Sequence, residues 1–77
     1  MSADQLTQLT VWTIYERPAD YPQGFVVRPF EITSFGPQPG SARYASDLEA
    51  ARRLVPPGLY CLPRQAGDDP VVVESWI

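Results

Sequence analysis

The stretch that decides the fold is LTVWTIYERPADYPQGFVVRPFEIT, residues 9–33. Its first eight and last nine residues are rich in β-branched and aromatic side chains, a composition typical of β-strands. Between them, residues 17–24 carry two prolines, an aspartate and a glycine, which favour a structured loop. The stretch therefore predicts two strands, residues 9–16 and 25–33, joined by that loop.

Pro29 lies inside the second strand and limits where that strand can sit. A proline has no backbone N–H to donate, so it is normally found at a sheet edge or at a β-bulge. A regular strand would also place Arg28 on the same face as Val26 and Phe30. We expect strand two to lie at an edge, with a bulge at Arg28 and Pro29 that turns the arginine outward.

The next segments predict a crossover and a helix. Residues 34–44 are rich in proline, glycine and serine, which is typical of an irregular connection. The sequence SDLE that follows matches a capping box, in which Ser46 caps the helix and Glu49 reaches back to it. The helix is expected over residues 47–55, because Pro56 and Pro57 cannot continue it.

Two further strands complete the expected fold. Residues 58–63 and 71–77 have strand character, and the polar segment between them reads as a hairpin loop. The order ββαββ predicts an α+β fold with a four-stranded, mainly antiparallel sheet and one short helix packed on one face. We expect a single domain over residues 9–77, preceded by a flexible N-terminal tail, residues 1–8.

Charge and composition exclude several classes of function. The chain of 77 residues has a net charge of -3, and its six arginines are scattered among nine carboxylates, which argues against binding nucleic acid. No apolar segment approaches the roughly 20 residues that a membrane span requires. One cysteine and no signal-peptide pattern favour a cytoplasmic location.

The residue inventory also argues against an enzyme, a metal site or a cofactor. The chain has no histidine and no lysine, and it lacks a phosphate-binding glycine loop. Cys61 is expected to pack in the core, as free cysteines usually do. Asp68 and Asp69, directly before Pro70, are expected to stabilise a turn.

Three arginines are candidate binding residues because they lie at strand ends or at the expected bulge. Arg17, Arg28 and Arg64 could pair with nearby aspartates, or they could remain free to bind a carboxylate or phosphate. The sequence leaves both alternatives open.

Trp12 and Trp76 are candidate binding residues of a different kind. If Val71 and Val73 face the core, Trp76 faces away from it, and a helix of about nine residues cannot cover both tryptophans and the rest of the sheet. The exposed aromatic surface would be a dimer face or a binding surface. Alternatively, the crossover, with Phe35 and Tyr44, folds over it.

Three segments together have a familiar pattern: WTIYERPADYPQGFVVRPFEI (12–32), LEAARRLVPPGLYCLPR (48–64) and DDPVVVESWI (68–77). On these segments the chain resembles a group of small proteobacterial proteins with no assigned function. The resemblance implies a single intracellular domain and brings no activity, ligand or catalytic residue.

Two functional hypotheses follow from the sequence. The first is a non-enzymatic protein-interaction module, able to associate with itself through an aromatic sheet face or an edge strand. The alternative is a small-molecule or anion-binding domain that uses the loop arginines.

Overall fold

The structure, a computed structural model, describes residues 9–77, and the expected tail, residues 1–8, lies outside the described residues. In chain order the elements are β1 (Leu9–Glu16), β2 (Phe25–Thr33), β3 (Gly36–Pro39), β4 (Arg43–Ala45), α1 (Leu48–Arg53), β5 (Cys61–Pro63) and β6 (Val72–Trp76). The α+β class and the antiparallel sheet with one short helix are confirmed. The ββαββ order is wrong, because residues 9–77 form six strands and the two extra strands precede the helix.

The strands form one sheet in the order β3-β2-β1-β6-β5, with β4 also paired to β2. The two expected hairpins, β1 with β2 and β5 with β6, are both present. The crossover, expected to be irregular, instead contributes β3 and β4, which pair with opposite ends of β2. A tight turn leads into β3: the Thr33 hydroxyl accepts from the Phe35 amide, and Gly36 has a φ of +100° that other residues rarely adopt.

β2 is therefore an interior strand, and the expected edge position and bulge at Pro29 are both wrong. β1 and β2 pair in unbroken register through Pro29, which lies opposite Trp12. The Pro29 carbonyl accepts from the Gly40 amide at 2.7 Å, so the Pro29 nitrogen faces the same side. That side faces Gly40, between β3 and β4, and the Gly40 carbonyl accepts from Arg28 Nη1, so it needs no donor at Pro29.

The sheet does contain a bulge, but it lies in β6. Ile14 is opposite Glu74 and Tyr15 is opposite Val72, so β6 has one extra residue at Val73. The bulge places Glu74 and Trp76 on the face of Ile14, opposite to the expectation, while Val73 packs against the core cluster as expected. The consequence for Trp76 is described with the site.

The helix is shorter than expected and begins one residue later. Its N-cap is Asp47, not Ser46, and the Asp47 carboxylate accepts from the Ala50 amide at 2.8 Å. An aspartate satisfies a free amide of the first turn as well as a serine does, and its negative charge suits the helix N-terminus.

The helix contacts β2 and β4 and builds the core on one face of the sheet. Ile14 and Val27, a cross-strand pair, are the largest fully buried side chains. They form a cluster with Ala45, Ala51 and Val55. Among the described residues, no helix is long and apolar enough to cross a membrane.

Candidate functional site

The two faces of the sheet are unlike. We call the face that α1 covers the helix face, and the opposite one the far face. Because side chains alternate along a strand, Ile14 points to the helix face and its β1 neighbours Thr13 and Tyr15 point to the far face. Directly opposed residues share a face, so Arg28, the partner of Thr13, also lies on the far face.

Two rows of apolar side chains cross the far face where three strands lie side by side. The strand register assigns Leu9, Ile32 and Pro37 to one row and Val11, Phe30 and Pro39 to the next. We call these six residues the apolar rows. Leu9 is 48% exposed, both prolines are exposed, and the other three are half-buried. No charged side chain interrupts the rows.

The other end of the far face is covered by the loop between β1 and β2. Tyr44, opposite Val26 in the register, meets the ring of Tyr21 from this loop at a centroid distance of 4.8 Å. Gly24 permits this approach, because a Cβ there would lie 2.5 Å from the Ala45 carbonyl and 2.7 Å from the Tyr21 ring. The loop is therefore structured, as expected, and Val26 is buried beneath it.

A pocket of about 380 Å³ opens between this loop and the turn that precedes β6. It is lined by Tyr15, Pro18, Ala19, Asp20, Val26, Arg28, Asp69 and Val71. Apolar walls with a few polar groups are typical of small-molecule sites, and this volume is within their usual range of roughly 300–1,000 Å³.

Arg28 lies on the boundary between the pocket and the apolar rows. Its Nη1 donates to the Gly40 carbonyl at 2.6 Å, which ties the side chain to the chain segment between β3 and β4. Among residues 9–77, Arg28 forms no ion pair with a carboxylate. Without a bulge, β2 places Arg28 on the same face as Val26 and Phe30. This placement is tolerated because Arg28 is only half-buried.

The pKa of the Tyr15 hydroxyl depends on its burial and on the charges around this pocket. Burial raises the pKa of its hydroxyl above the ordinary value, the positive charge of Arg28 opposes that change, and Asp69 reinforces it. The hydroxyl therefore stays protonated at neutral pH and can donate a hydrogen bond into the pocket.

Arg17 and Arg64, the other two candidate arginines, do not line the pocket. Arg17 closes the loop, donating its backbone N–H to the Gly24 carbonyl at 2.8 Å with a left-handed φ of 47°. Arg64 follows β5 and is exposed. The structure therefore does not bring the three arginines together into one site.

Trp12 and Trp76 are cross-strand neighbours on the helix face. The expectation that Trp76 faces away from the core is wrong, because the bulge at Val73 shifts the alternation along β6. Both tryptophans are half-buried and pack against the core cluster. Phe35 of the crossover is 91% exposed and Tyr44 contacts the Tyr21 ring, so neither residue covers the tryptophans.

The helix face also carries an ion pair that the sequence did not predict. Nε and Nη2 of Arg52 each donate to the Glu74 carboxylate at 2.9 Å, and the Trp76 indole donates to the same carboxylate at 2.9 Å. These hydrogen bonds, Arg52 first, hold the pKa of Glu74 below its ordinary value although burial opposes them. The partners are 22 residues apart, so no local pattern could have revealed the pair.

Cys61 lies beside this ion pair on edge strand β5, and the expectation that it packs in the core is wrong because the residue is exposed. Partial desolvation of the thiol and the nearby Glu74 carboxylate raise its pKa, which disfavours the reactive thiolate.

The aspartates behave as expected for a turn. Asp68 accepts from the Gln65 amide at 2.8 Å, and Asp69 accepts from the Val71 amide at 3.1 Å. The sequence did not indicate that Asp69 would also line a pocket with Arg28, since that depends on how the two hairpins pack.

Comparison of the chain with known protein families, with curated proteins and with solved structures found no match.

Proposed function

We propose that this protein is a non-enzymatic interaction module that binds a second copy of itself through the apolar rows of the far face. The observation that carries the proposal is the register, which groups six uncharged apolar residues in a face without a helix. Exposed apolar patches of this kind mark interaction surfaces in small proteins.

The β3 and β5 edges of the sheet are poor partners for another strand, which disfavours the edge-strand alternative at these two edges. The backbone N–H of Gly40 points toward β2. Because backbone direction alternates along a strand, the backbone groups of Gln38 and Gly36 also point toward β2, and those of the two prolines of β3 point away from the sheet. Pro37 and Pro39 have no N–H to offer another strand. Such prolines protect sheet edges from pairing.

The opposite edge is blocked in a similar way. Tyr60 and Ile77 exchange two backbone hydrogen bonds, so the backbone groups of Tyr60 point toward the C-terminal end of the chain beside β6. By alternation the backbone groups of Leu62 point toward β6, and those of Cys61 and Pro63 point away from the sheet. Pro63 again lacks the donor, and Cys61 is the only residue of β5 with an outward N–H. At the β3 and β5 edges, face-to-face association is therefore favoured over strand addition.

The absence of charge in the apolar rows suits a second copy of this chain as the partner. A symmetric dimer joins the same patch on both subunits, so the patch must be complementary to itself. A charged patch would repel its copy, whereas the apolar rows contain no charge. A second copy of this chain satisfies that requirement without any further partner.

The small core of the chain also favours association. Of the large side chains, only Ile14 and Val27 are fully buried in the described residues. A chain of this length buries only about 60% of the surface that its unfolded form exposes, and association is one way such domains gain further burial.

The test is multi-angle light scattering over a concentration series of the native chain and of Phe30→Lys, which adds a charge to the middle of the second row. We expect the native mass to rise toward that of a dimer and the variant to remain monomeric. Gln38→Lys is the matched control: it adds the same charge on β3, on the other face and opposite Glu31, and should still dimerise.

Leu9→Lys gives a second variant at a more exposed position, in case Phe30→Lys destabilises the fold. A native chain that stays monomeric over the whole series would contradict the proposal. Equal dimerisation of the native chain and both row variants would also contradict it.

A cytoplasmic setting without nucleic-acid partners belongs to the same proposal. It is supported by the free thiol of Cys61 and by the net negative charge.

A further inference from the structure

The pocket beside the apolar rows contains charged groups that the proposed dimer does not use. Arg28 supplies one positive charge, and Asp20 and Asp69 supply two negative charges. Tyr15 adds a hydroxyl, and Val26 belongs to the apolar part of the lining.

These charges decide which class of ligand suits the pocket. A simple anion would meet one guanidinium but two carboxylates, so its net electrostatic interaction with the lining would be unfavourable. A simple cation would suit the carboxylates but would leave Arg28 facing a like charge. A molecule with both charges matches each group with its opposite.

We propose that the pocket binds a small zwitterion of amino-acid size. Its carboxylate lies against Arg28, its ammonium group lies between Asp20 and Asp69, and its aliphatic part contacts Val26 and Val71. The Tyr15 hydroxyl donates a second hydrogen bond to the carboxylate.

The groups required for this have free hydrogen-bonding capacity. Arg28 uses Nη1 for the Gly40 carbonyl, and a guanidinium has five N–H donors, so others remain for a carboxylate. Asp69 uses Oδ1 for the Val71 amide, which leaves Oδ2. In the part of the chain that the structure describes, the Asp20 carboxylate has no side-chain hydrogen bond or ion pair.

The probe that tests the proposal is L-leucine, added to isotopically labelled protein while amide chemical shifts are recorded. Isocaproate, which lacks the ammonium group, and isoamylamine, which lacks the carboxylate, are the matched probes. We expect saturable shifts with leucine at residues 18–20, 26–28 and 69–71, and binding weaker by about tenfold or more with either matched probe.

Two variants test whether Arg28 and Asp69 bind the charged groups of leucine. Arg28→Gln should weaken leucine binding by about tenfold or more, and so should Asp69→Asn, which keeps the Oδ1 acceptor for the Val71 amide. Arg64→Gln, outside the pocket, is the control and should bind as the native chain does. Asp69→Asn keeps the test decisive if Arg28→Gln does not fold.

Three results would overturn the proposal. They are the absence of saturable shifts with leucine, equal binding of leucine and either singly charged probe, and unchanged leucine binding by Asp69→Asn. None of them bears on the proposed dimer, which depends on different residues and is measured without ligand.

Discussion

The two faces of this sheet use apolar side chains in different ways. On the helix face, Ile14 and Val27 are fully buried beneath Ala51 and Val55. On the far face, the apolar rows of the same two strands remain half-buried or exposed, as Val11 and Leu9 do, and Val26 is buried only where the loop between β1 and β2 covers it. The difference shows that apolar character in a strand does not by itself assign a residue to the core. What assigns it is the element that covers that face.

We expect a substitution on the helix face to have the largest effect on the free energy of unfolding. Ile14→Ala removes a fully buried side chain and leaves a cavity, so it should lower the free energy of unfolding by about 2–5 kcal/mol. Urea unfolding measures this. Ala51→Gly at the facing helix position should also destabilise, and a loss below about 1 kcal/mol for Ile14→Ala would mean that the helix face is not the main core.

The next prediction concerns the ion pair of the helix face and its dependence on pH. The folded-state pKa of Glu74 is lowered, so its contribution is present above the unfolded-state pKa of about 4.3 and is lost as the pH falls through the folded-state value. Glu74→Gln should lower the free energy of unfolding by about 1–3 kcal/mol at neutral pH.

The difference in stability between the native chain and Glu74→Gln should shrink as the solution is acidified below that range. Glu49→Gln, on an exposed residue of the helix, is the control and should show a much smaller effect. A difference that stays constant from neutral to acidic pH would show that Arg52 does not stabilise the charged form of Glu74.

The smallest effect on folding is expected on the far face. Val11→Thr should change the free energy of unfolding of the dilute protein by about 1 kcal/mol or less, because Val11 is only half-buried. The same variant should reduce the rise of the melting temperature with protein concentration, since binding of a second copy stabilises the native state. A loss as large as that of Ile14→Ala would remove the distinction between the faces.

The sequence predicted the parts of the fold that depend on local composition. β2 spans the expected residues 25–33 and β1 ends at Glu16 as expected, because runs of β-branched and aromatic residues fit the pleated, half-buried surface of a sheet. The segment GPQP at residues 36–39 could not be recognised as a strand, since prolines and glycine disfavour one. It becomes a strand only because β2 presents a partner.

The position of β2 was wrong for a related reason. Pro29 was expected to require an edge because it has no N–H, but the direction in which its nitrogen faces was not taken into account. Here it points to the gap between β3 and β4, which only the three-dimensional pairing reveals.

The candidate site was predicted in part. Arg28 was singled out, and it lies between the pocket and the apolar rows. Tyr15 lies near it through the pairing of β1 with β2. Asp20 and Asp69 line the same pocket only because the two loops converge, and sequence spacing carries no information about that. Trp76 was expected to face away from the core because the bulge at Val73, which moves it to the helix face, leaves no clear sequence signal.

The most direct test of the central claim, that the far face binds a second copy, is an isotope-filtered nuclear Overhauser experiment on a mixture of labelled and unlabelled protein. It detects contacts between subunits only. We predict such contacts among the apolar rows, for example from Phe30 to Val11 or Ile32. Contacts from Trp12 and Trp76, or from the edge residues Tyr44 and Cys61, without any from the rows would contradict the account.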